Sequence, residues 1–420
     1  MERAYYYFPV GLLLATSLLA VGTADIINDK SALVAFKNHI VLDPHLIVAK
    51  NWSVSYSVCD WIGVTCDSSC QRVVALNISN MGFAGTIPPQ LGNLSFLVSV
   101  DMSNNNFHGH LPEGMSHLRR LSFMALGNNN LTGEIPSWLG VLNRLQYLSL
   151  RINSFVGHLP ANICDNLPNL KKLDLSVNRL SGQILSDLSN CSGLKSLDLS
   201  LNQFNGYLPK AVGNLKMLKE LHLGDNNLEG TIPPQLGNLS FLVSLDMSNN
   251  NFHGHLPEGM SHLRRLSFMA LSNNNLTGEI PSWLGFLERL QYLSLTENNF
   301  FGDLLTNICD NLPNLKELDL SWNQLSGQIL SGLSNCSGLK SLDLSVNQFN
   351  GYIPKAVGNL KMLEELDLGD NKLEGYFLGF LFFIQFHIYI LSLYNYLNFL
   401  CCNILIDLWP FKHLFQIKEI

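Results

Sequence analysis

Side chains that could support catalysis or metal binding occur in this chain, but their patterns do not favour either. His108 and His110 are close enough in sequence to share a metal ion, and the same pair recurs at 253 and 255. Both pairs fall in predicted extended stretches of a duplicated segment, so we interpret them as exposed structural histidines. The sequence contains no Gly-x-x-x-x-Gly-Lys, Gly-x-Gly-x-x-Gly, His-Arg-Asp or Asp-Phe-Gly motif. We therefore expect no catalytic residue, metal or cofactor.

The first 24 residues have the pattern of a secretory signal peptide. Arg3 precedes an apolar run across residues 11–20, and the small residues Gly22 and Ala24 follow. An uncleaved signal anchor is the alternative. Eight Asn-x-Ser/Thr tripeptides agree with export and predict N-glycosylation. The acceptors are Asn51, Asn77, Asn93, Asn130, Asn190, Asn238, Asn275 and Asn335.

Short leucine-rich repeats must position any functional side chain. In residues 194–208, Leu197 and Leu199 alternate with small polar residues, which predicts a half-buried strand that Asn202 then turns. This asparagine position recurs every 24 or 25 residues, and the series is Met81, Asn105, Asn129, Asn153, Asn178, Asn202, Asn226, Asn250, Asn274, Asn298, Asn323, Asn347 and Asn371. One unit cannot bury its own apolar face, so residues 72–375 are predicted to stack as about 13 coils.

Residues 25–71 are predicted to form an N-terminal cap. Ala32, Ala35 and Phe36 have helical spacing, and an aromatic-rich segment follows them. Such a segment is well placed to cover the apolar surface that the first coil of a solenoid exposes. In an oxidising compartment Cys59 and Cys66 would most simply pair, which leaves Cys70 without an obvious partner.

Four further cysteines fall on the predicted back of the coils. Cys164 and Cys191 recur as Cys309 and Cys336. We interpret all four as small buried apolar side chains. A disulfide between adjacent coils is the alternative.

The sequence resembles the ectodomains of plant leucine-rich-repeat receptor-like kinases and receptor-like proteins. The cap runs D-K-S-A-L-V-A-F-K, N-W-S and C-D-W-I-G-V-T-C resemble theirs, and the repeat at 218–233 is similar to their L-x-x-L-x-L-x-x-N-x-L-x-G-x-I-P. The resemblance covers about residues 29–375. It implies an α/β solenoid, a leucine-rich-repeat horseshoe or superhelix with a parallel β-sheet on the concave face. It also implies a peptide or protein ligand on that face and a co-receptor kinase as partner.

Some repeats depart from this pattern. Leu185, Leu305 and Leu330 stand where proline is expected, which predicts looser local geometry.

Residues 86–230 recur as 231–375, with about 125 of the 145 positions identical. Eight of the roughly 20 differences fall on predicted strand faces, about twice the share expected by chance. The eight pairs are Gly127 and Ser272, Arg151 and Thr296, Ile152 and Glu297, Lys172 and Glu317, Val177 and Trp322, Leu201 and Val346, Lys219 and Glu364, and His222 and Asp367. These positions are the strongest functional signal in the sequence.

The differences change the charge of the predicted face. The first copy carries three cations there and the second carries four acids. We expect a peptide of opposite polarity to be steered onto this face, with aromatic anchors; strand residues that merely face solvent are the alternative. The predicted ligand-binding set is Tyr147, Arg151, Lys172, Lys219, His222, Tyr292, Glu297, Glu317, Trp322, Glu364 and Asp367. A net charge of −7 gives no indication of nucleic-acid binding.

The tail, residues 376–420, follows no repeat pattern. Residues 376–406 contain no charged side chain and are long enough for a membrane anchor, although Gln385 and His387 interrupt the apolar run. An aberrant C-terminus without a selected role is the alternative.

Three functions remain compatible with the sequence. The first is an extracellular recognition module that binds a peptide or protein and signals through a partner kinase at the plasma membrane. The second is an inhibitor of a cell-wall-degrading enzyme, secreted to the apoplast. The third is a non-functional receptor remnant. A catalytic role is not expected.

Overall fold

The computed structural model describes residues 25–53, 55–161, 163–165, 167–304, 308–329, 331–374 and 389–390. The predicted signal peptide and nearly all of the predicted tail lie outside the described residues. The chain divides into two units, Met1–Phe252 and His253–Ile420, called unit 1 and unit 2 below. Within the described part of the chain, no helix is long and apolar enough to span a membrane.

The N-terminal cap of unit 1 combines short helices with two antiparallel strand pairs. The helices are 25–38, Ile47–Asn51 and the 3-10 turn Val58–Asp60, and the strand pairs are Ile40–Leu42 with Ala84–Thr86 and Val64–Cys66 with Val73–Asn77.

Aromatic side chains fill the cap. The rings of Trp52 and Trp61 stack with centroids 5.1 Å apart, and the Phe36 ring lies 5.7 Å from that of Phe107 in the coils. All four side chains are buried. The cap thus covers the start of the solenoid, as predicted.

Each coil of unit 1 begins with a strand of the first sheet. These parallel strands are Val73–Asn77, Ser99–Asp101, Phe123–Ala125, Tyr147–Ser149, Lys172–Asp174, Ser196–Asp198, Glu220–His222 and Ser244–Asp246. The central leucines of neighbouring strands pair in register, for example Leu173 with Leu197 and Leu197 with Leu221. Because side chains alternate along a strand, the leucines enter the core and the flanking residues face outward. We call this outward side the strand face.

A second sheet and a row of 3-10 turns complete the coils of unit 1. The second strands are Ala84–Thr86, Asn106–Gly109, Asn130–Glu134, Ser154–Gly157, Arg179–Gln183, Gln203–Tyr207 and Asn227–Thr231, with Asn251–Gly254 at the unit boundary. The turns are Pro89–Asn93, Glu113–His117, Ser137–Val141, Ser186–Asn190, Lys210–Asn214 and Pro234–Asn238.

Unit 2 repeats this architecture. Its first strands are Phe268–Ala270, Tyr292–Ser294, Glu317–Asp319, Ser341–Asp343 and Glu365–Asp367, the last of which also pairs with Tyr389–Ile390. Its second strands are Asn275–Gly278, Asn299–Asp303, Gln324–Ser326, Asn350–Tyr352 and Lys372–Glu374. Its helical turns are Glu258–His262, Ser282–Phe286, Ile308–Asn311, Ser331–Asn335 and Lys355–Asn359. The fold is a leucine-rich-repeat solenoid, which confirms the predicted class.

The turn asparagines bind adjacent coils together. Asn202 is buried, and its Nδ2 donates to the carbonyls of Leu175, Leu199 and Ser200 at 3.0 to 3.1 Å. Its Oδ1 accepts from the Leu180 N–H at 3.0 Å. Backbone groups in two coils are therefore satisfied by one side chain, which explains why asparagine recurs at this position.

The structure corrects one expectation about the repeat. Leu185 was expected to loosen the chain, yet its φ and ψ of −74° and 146° match the −67° and 140° of Pro209 at the equivalent position. Leucine adopts the extended conformation that proline enforces, so the turn geometry is retained. Leu305 and Leu330 lie outside the described residues.

Candidate functional site

An aromatic stack marks the strand face of unit 1. The rings of Phe123 and Tyr147 lie 4.5 Å apart on neighbouring strands, and Lys172 follows Tyr147 in register with its Nζ 5.8 Å from the Tyr147 ring. The sheet thus brings two of the predicted residues, Tyr147 and Lys172, into contact as a cation–aromatic pair. Arg151, on the same coil as Tyr147, and Lys219, on a later coil of unit 1, are both exposed.

The equivalent aromatic stack in unit 2 is followed by a carboxylate on the next strand. Phe268 and Tyr292 stack at 4.5 Å, and the next residue in register is Glu317, which is exposed. The same aromatic pair is therefore flanked by a cation in unit 1 and by a carboxylate in unit 2.

His222 is held by its neighbours on the strand face of unit 1. Its Nε2 lies 2.9 Å from Ser244 Oγ, and its Nδ1 lies 3.8 Å from Asp198 Oδ2. The nearby carboxylate of Asp198 raises the pKa of His222 above its usual value. Burial opposes ionisation of Asp198, but the nearby His222 and the hydrogen bonds from Ser200 lower its pKa. Protonated His222 thus neutralises part of the row of acids on these strands.

Unit 2 has a third carboxylate where such a histidine would stand. Asp319, Asp343 and Asp367 occupy the same register on three successive strands. Burial, with the charge of Asp343, raises the pKa of Asp367 to about 6, although the Gly369 N–H donates to its Oδ1. Burial likewise raises the pKa of Asp319. Crowded carboxylates at this spacing resist simultaneous ionisation.

Glu364 is paired on the surface of unit 2. Its carboxylate lies 2.7 Å from the Lys340 Nζ, and both side chains are substantially exposed. The hydrogen bond from Lys340 raises the pKa of that lysine. The strand face of unit 2 therefore presents less negative charge than its four predicted acids alone indicate, because Glu364 is neutralised and Asp367 is partly protonated near pH 6.

The residue before each turn asparagine adopts positive φ, a feature that the sequence interpretation missed. At several coils asparagine occupies this position and forms a ladder, in which Asn104 Nδ2 donates to Asn80 Oδ1 and Asn128 Nδ2 donates to Asn104 Oδ1, both at 2.9 Å. Bulkier residues interrupt it, namely Ile152, Val177 and Leu201 in unit 1 and Glu297, Trp322 and Val346 in unit 2, with φ between 50° and 55°. These residue types rarely adopt this conformation. All six differ between the two copies.

In unit 2 this edge holds a shallow depression. Its lining residues are Asn274, Asn275, Glu297, Asn298, Asn299 and Trp322. Glu297 and Trp322, predicted separately from the sequence, are therefore brought together.

Disulfides correct the interpretation of the four back-face cysteines. Cys164 is bonded to Cys191 and Cys309 to Cys336, and the paired Cα atoms lie 4.8 and 4.7 Å apart. Our expectation of buried free thiols was wrong, because the coil spacing itself lies within the Cα separation of a disulfide. The structure also joins Cys59 to Cys66, the pair expected for the cap, and leaves Cys70 exposed as a free thiol.

The predicted glycosylation acceptors lie at the surface, with one partial exception. Asn51 is half-buried in the cap, and its side chain accepts from the Ile62 N–H at 2.5 Å. The other seven asparagines are exposed. Six of these seven lie in the second sheet or the 3-10 turns, and Asn77 lies at the end of the first strand.

The histidine pairs show no metal-binding arrangement. All four side chains are exposed; His108 and His253 lie in second strands, and His110 and His255 directly follow them. Among the residues that the structure describes, no group of three or more His, Cys, Asp or Glu side chains could hold a metal ion.

Family models match most of the solenoid. The leucine-rich repeat N-terminal domain matches residues 26–67, single leucine-rich repeats match 96–118 and 120–142, and the leucine-rich repeat region matches 174–349. The chain belongs to the leucine-rich-repeat proteins, with a cap and repeats of the kind found in plant receptor-like kinases.

Curated relatives match over short segments. A probable LRR receptor-like serine/threonine-protein kinase of Arabidopsis thaliana is 39% identical over 72 residues, which is 17% of this chain and 7% of the relative. The polygalacturonase inhibitor of Pyrus communis is 33% identical over 99 residues, 23% of this chain and 29% of the inhibitor.

Solved structures match over much more of the chain. The plant peptide hormone receptor RGFR1, in complex with RGF2, is 31% identical with a TM-score of 0.69, covering 74% of this chain and 53% of the receptor. The Arabidopsis receptor kinase HAESA, in complex with the peptide hormone IDA and the co-receptor SERK1, is 28% identical with a TM-score of 0.53, covering 82% and 70%.

Proposed function

We propose that this chain is an extracellular recognition module that binds a peptide or protein ligand on its strand face and signals through a kinase on another chain. One observation carries the proposal. The buried leucines and asparagines repeat from coil to coil, whereas the outward residues of the first sheet vary in charge and size. Because those residues project from a hydrogen-bonded sheet, they are held in fixed positions before any ligand arrives, which lowers the entropy cost of binding.

The charges of each unit indicate what that unit would select. In unit 1 Lys172 lies half-buried beside the Tyr147 ring, and Arg151 and Lys219 are exposed. These cations favour an acidic ligand segment with an apolar or aromatic side chain. In unit 2 the exposed carboxylates Glu297 and Glu317 favour a basic segment. His222, Tyr292, Glu364 and Asp367 complete the proposed contact set.

The partner and location follow from the same proposal. Peptide-bound and co-receptor-bound structures of similar ectodomains support a peptide ligand and a co-receptor kinase for this chain. Residues 1–24 would direct it into the secretory pathway, and residues 376–406 would anchor it at the plasma membrane with the repeats outside.

The similarity to a polygalacturonase inhibitor supports a second candidate function. In that case the chain would be released to the apoplast and its strand face would block a cell-wall-degrading enzyme. Inhibition of a polygalacturonase by the purified chain, without selective peptide binding, would favour this function over the first.

A peptide array tests the leading proposal. The glycosylated full chain would be applied to extended synthetic peptides of graded charge, and the double variant Lys172→Glu, Lys219→Glu is expected to lose at least about tenfold in affinity for acidic peptides. The charge-matched control is Lys210→Glu, Lys216→Glu, because these exposed lysines lie in and just after a 3-10 turn, away from the first strands. Equal losses in both double variants would contradict binding on the strand face.

A further inference from the structure

The indole of Trp322 is unusually exposed for a side chain of its size. Its accessible fraction is 59%, and it lines the depression of unit 2 together with three polar neighbours that matter below, Asn275, Glu297 and Asn299. A large apolar ring in contact with water is unfavourable unless something covers it.

The backbone at Trp322 adds a second cost. Its φ of 51° lies in the left-handed region, which asparagine tolerates and a bulky residue rarely occupies. Strained residues of this kind persist where the surroundings compensate for them, and they often mark ligand contacts. Exposure and strain therefore both indicate that the ring has a binding partner.

The duplication shows that the depression changed as a group. Its floor asparagines are identical in the first copy, but Glu297, Asn299 and Trp322 replace Ile152, Ser154 and Val177. Three of the six lining positions thus differ, whereas about 20 of 145 positions differ over the whole copy. The change introduces an aromatic ring, a carboxylate and an amide at one place.

These three groups suit a sugar. A pyranose ring has one face of C–H groups that can lie on the electron-rich face of an indole. Its hydroxyl groups need acceptors and donors at the edge, which a carboxylate and a primary amide provide. The sequence itself places a carbohydrate acceptor here, because Asn275 begins the tripeptide Asn-Leu-Thr.

The position of Asn275 brings its glycan within reach of the indole. Asn275 is exposed, and its Oδ1 accepts from Asn299 Nδ2 at 3.5 Å, which orients the amide within the depression. Trp322 belongs to the second coil further on, roughly 10 Å away at the spacing of adjacent strands. The first two sugars of an N-linked glycan span such a distance.

We propose that the N-linked glycan of Asn275 folds back over this depression, with a sugar face packed on Trp322 and with Glu297 and Asn299 hydrogen-bonded to its polar groups. The inference rests on the proposed function only for passage through the secretory pathway. It assigns to Trp322 a carbohydrate-packing role in place of a peptide-anchoring one.

The first copy supplies a matched control for the test. Asn130 begins the same tripeptide, Asn-Leu-Thr, but faces Ile152, Ser154 and Val177. The native glycosylated full chain would be treated with an endoglycosidase, and the release of each glycan would be followed by site-resolved mass spectrometry. The Asn275 glycan is expected to be released at least about threefold more slowly than the Asn130 glycan. Trp322→Val should bring the two rates together.

Three results would overturn the proposal. They are an unmodified Asn275, equal release rates in the native chain, and a rate difference that survives Trp322→Val. Binding of a free oligosaccharide to the native glycosylated chain, abolished by Trp322→Val, would also overturn it, because the depression would then be open to carbohydrate from elsewhere. Peptide binding can be retained or lost independently of all four results, so failure here is distinguishable from failure of the recognition function.

Discussion

The two copies of the duplicated segment share one frame and carry different surfaces. In residues 86–230, Asn202 bonds to three carbonyls and one N–H, and in residues 231–375 its counterpart Asn347 makes the same four bonds with Leu320, Leu344, Ser345 and Leu325. The two copies also contain equivalent disulfides, with the same sequence separation and nearly the same distance between Cα atoms. Frame residues contact two coils at once, so a change in one coil disturbs its neighbour.

The surfaces differ at outward positions of the strands. His222 and Asp367 occupy equivalent strand positions, yet one is an imidazole whose pKa is raised by Asp198 and the other is a carboxylate with a pKa of about 6. Lys172 and Glu317 likewise follow identical aromatic pairs. The comparison teaches that the solenoid can vary its surface chemistry while its core is preserved.

The largest effect is expected at the turn asparagines. Asn202→Ala and Asn347→Ala should each destabilise their coils by about 3 kcal/mol, because each leaves several buried backbone groups without a partner. Amide hydrogen exchange of the adjacent coils would measure this. Asn205→Ala, at an exposed position, should have little effect. Clearly unequal losses at Asn202 and Asn347 would show that the two frames are not equivalent.

Loss of a coil-to-coil disulfide should have a similar effect in both copies. The double variant Cys164→Ser, Cys191→Ser opens a bond between residues 27 apart and should cost about 3 kcal/mol, as should the pair Cys309→Ser, Cys336→Ser. Hydrogen exchange of the affected 3-10 turns would measure the cost. Thiol labelling of the unreduced native chain at any of the four cysteines would refute the pairing.

The equivalent positions 222 and 367 should respond oppositely to asparagine. The folded pKa of Asp367 is about 6 against a usual 3.8, so its carboxylate opposes folding progressively as pH rises from about 4 through 6. Asp367→Asn should therefore stabilise the chain at pH 7 by about 1 kcal/mol, after allowance for solvent screening, and have no effect near pH 4.

The His222 substitution has the reverse sign. Its pKa is raised in the folded chain, so its stabilisation is complete below the usual value of 6.5 and is lost as pH rises through the folded pKa. His222→Asn should destabilise unit 1 at pH 5 and have a smaller effect at pH 8. Urea unfolding at pH 4, 5, 7 and 8 would check both variants, and effects independent of pH would contradict this account.

The smallest effect is expected at the strained edge. Val177→Asn should stabilise unit 1 by about 1 kcal/mol, because asparagine tolerates positive φ and because the substitution removes an exposed apolar side chain. Val156→Asn serves as the control, since Val156 is also exposed but lies in a regular second strand. Thermal unfolding would compare the two. A gain at Val156 as large as that at Val177 would assign the effect to exposure alone.

Sequence periodicity was sufficient to predict the coils and the linking role of the turn asparagines, because these depend on residues that repeat. The cap was predicted from the helical spacing of Ala32, Ala35 and Phe36 and from the aromatic-rich segment that follows them. The back-face disulfides were misassigned, since the distance between Cys164 and Cys191 depends on how coils stack and not on their spacing in sequence. The pairing of Glu364 with Lys340 and the protonation of Asp367 were also beyond prediction, because both depend on contacts between neighbouring strands. The positive φ at Val177 could have been found, since asparagine and aspartate occupy most equivalent positions.

A surface exchange tests most directly the claim that function resides on the strand face. The variant Thr296→Arg, Glu297→Ile, Glu317→Lys, Trp322→Val, Glu364→Lys, Asp367→His exchanges six of the eight differing strand-face residues of the second copy for those of the first. Its binding to a peptide array would be compared with that of the native chain. We predict that the Tm of the variant lies within about 3 °C of that of the native chain. We also predict that the variant no longer binds the basic peptides that the native chain selects. An unchanged peptide profile in a folded variant would contradict the claim.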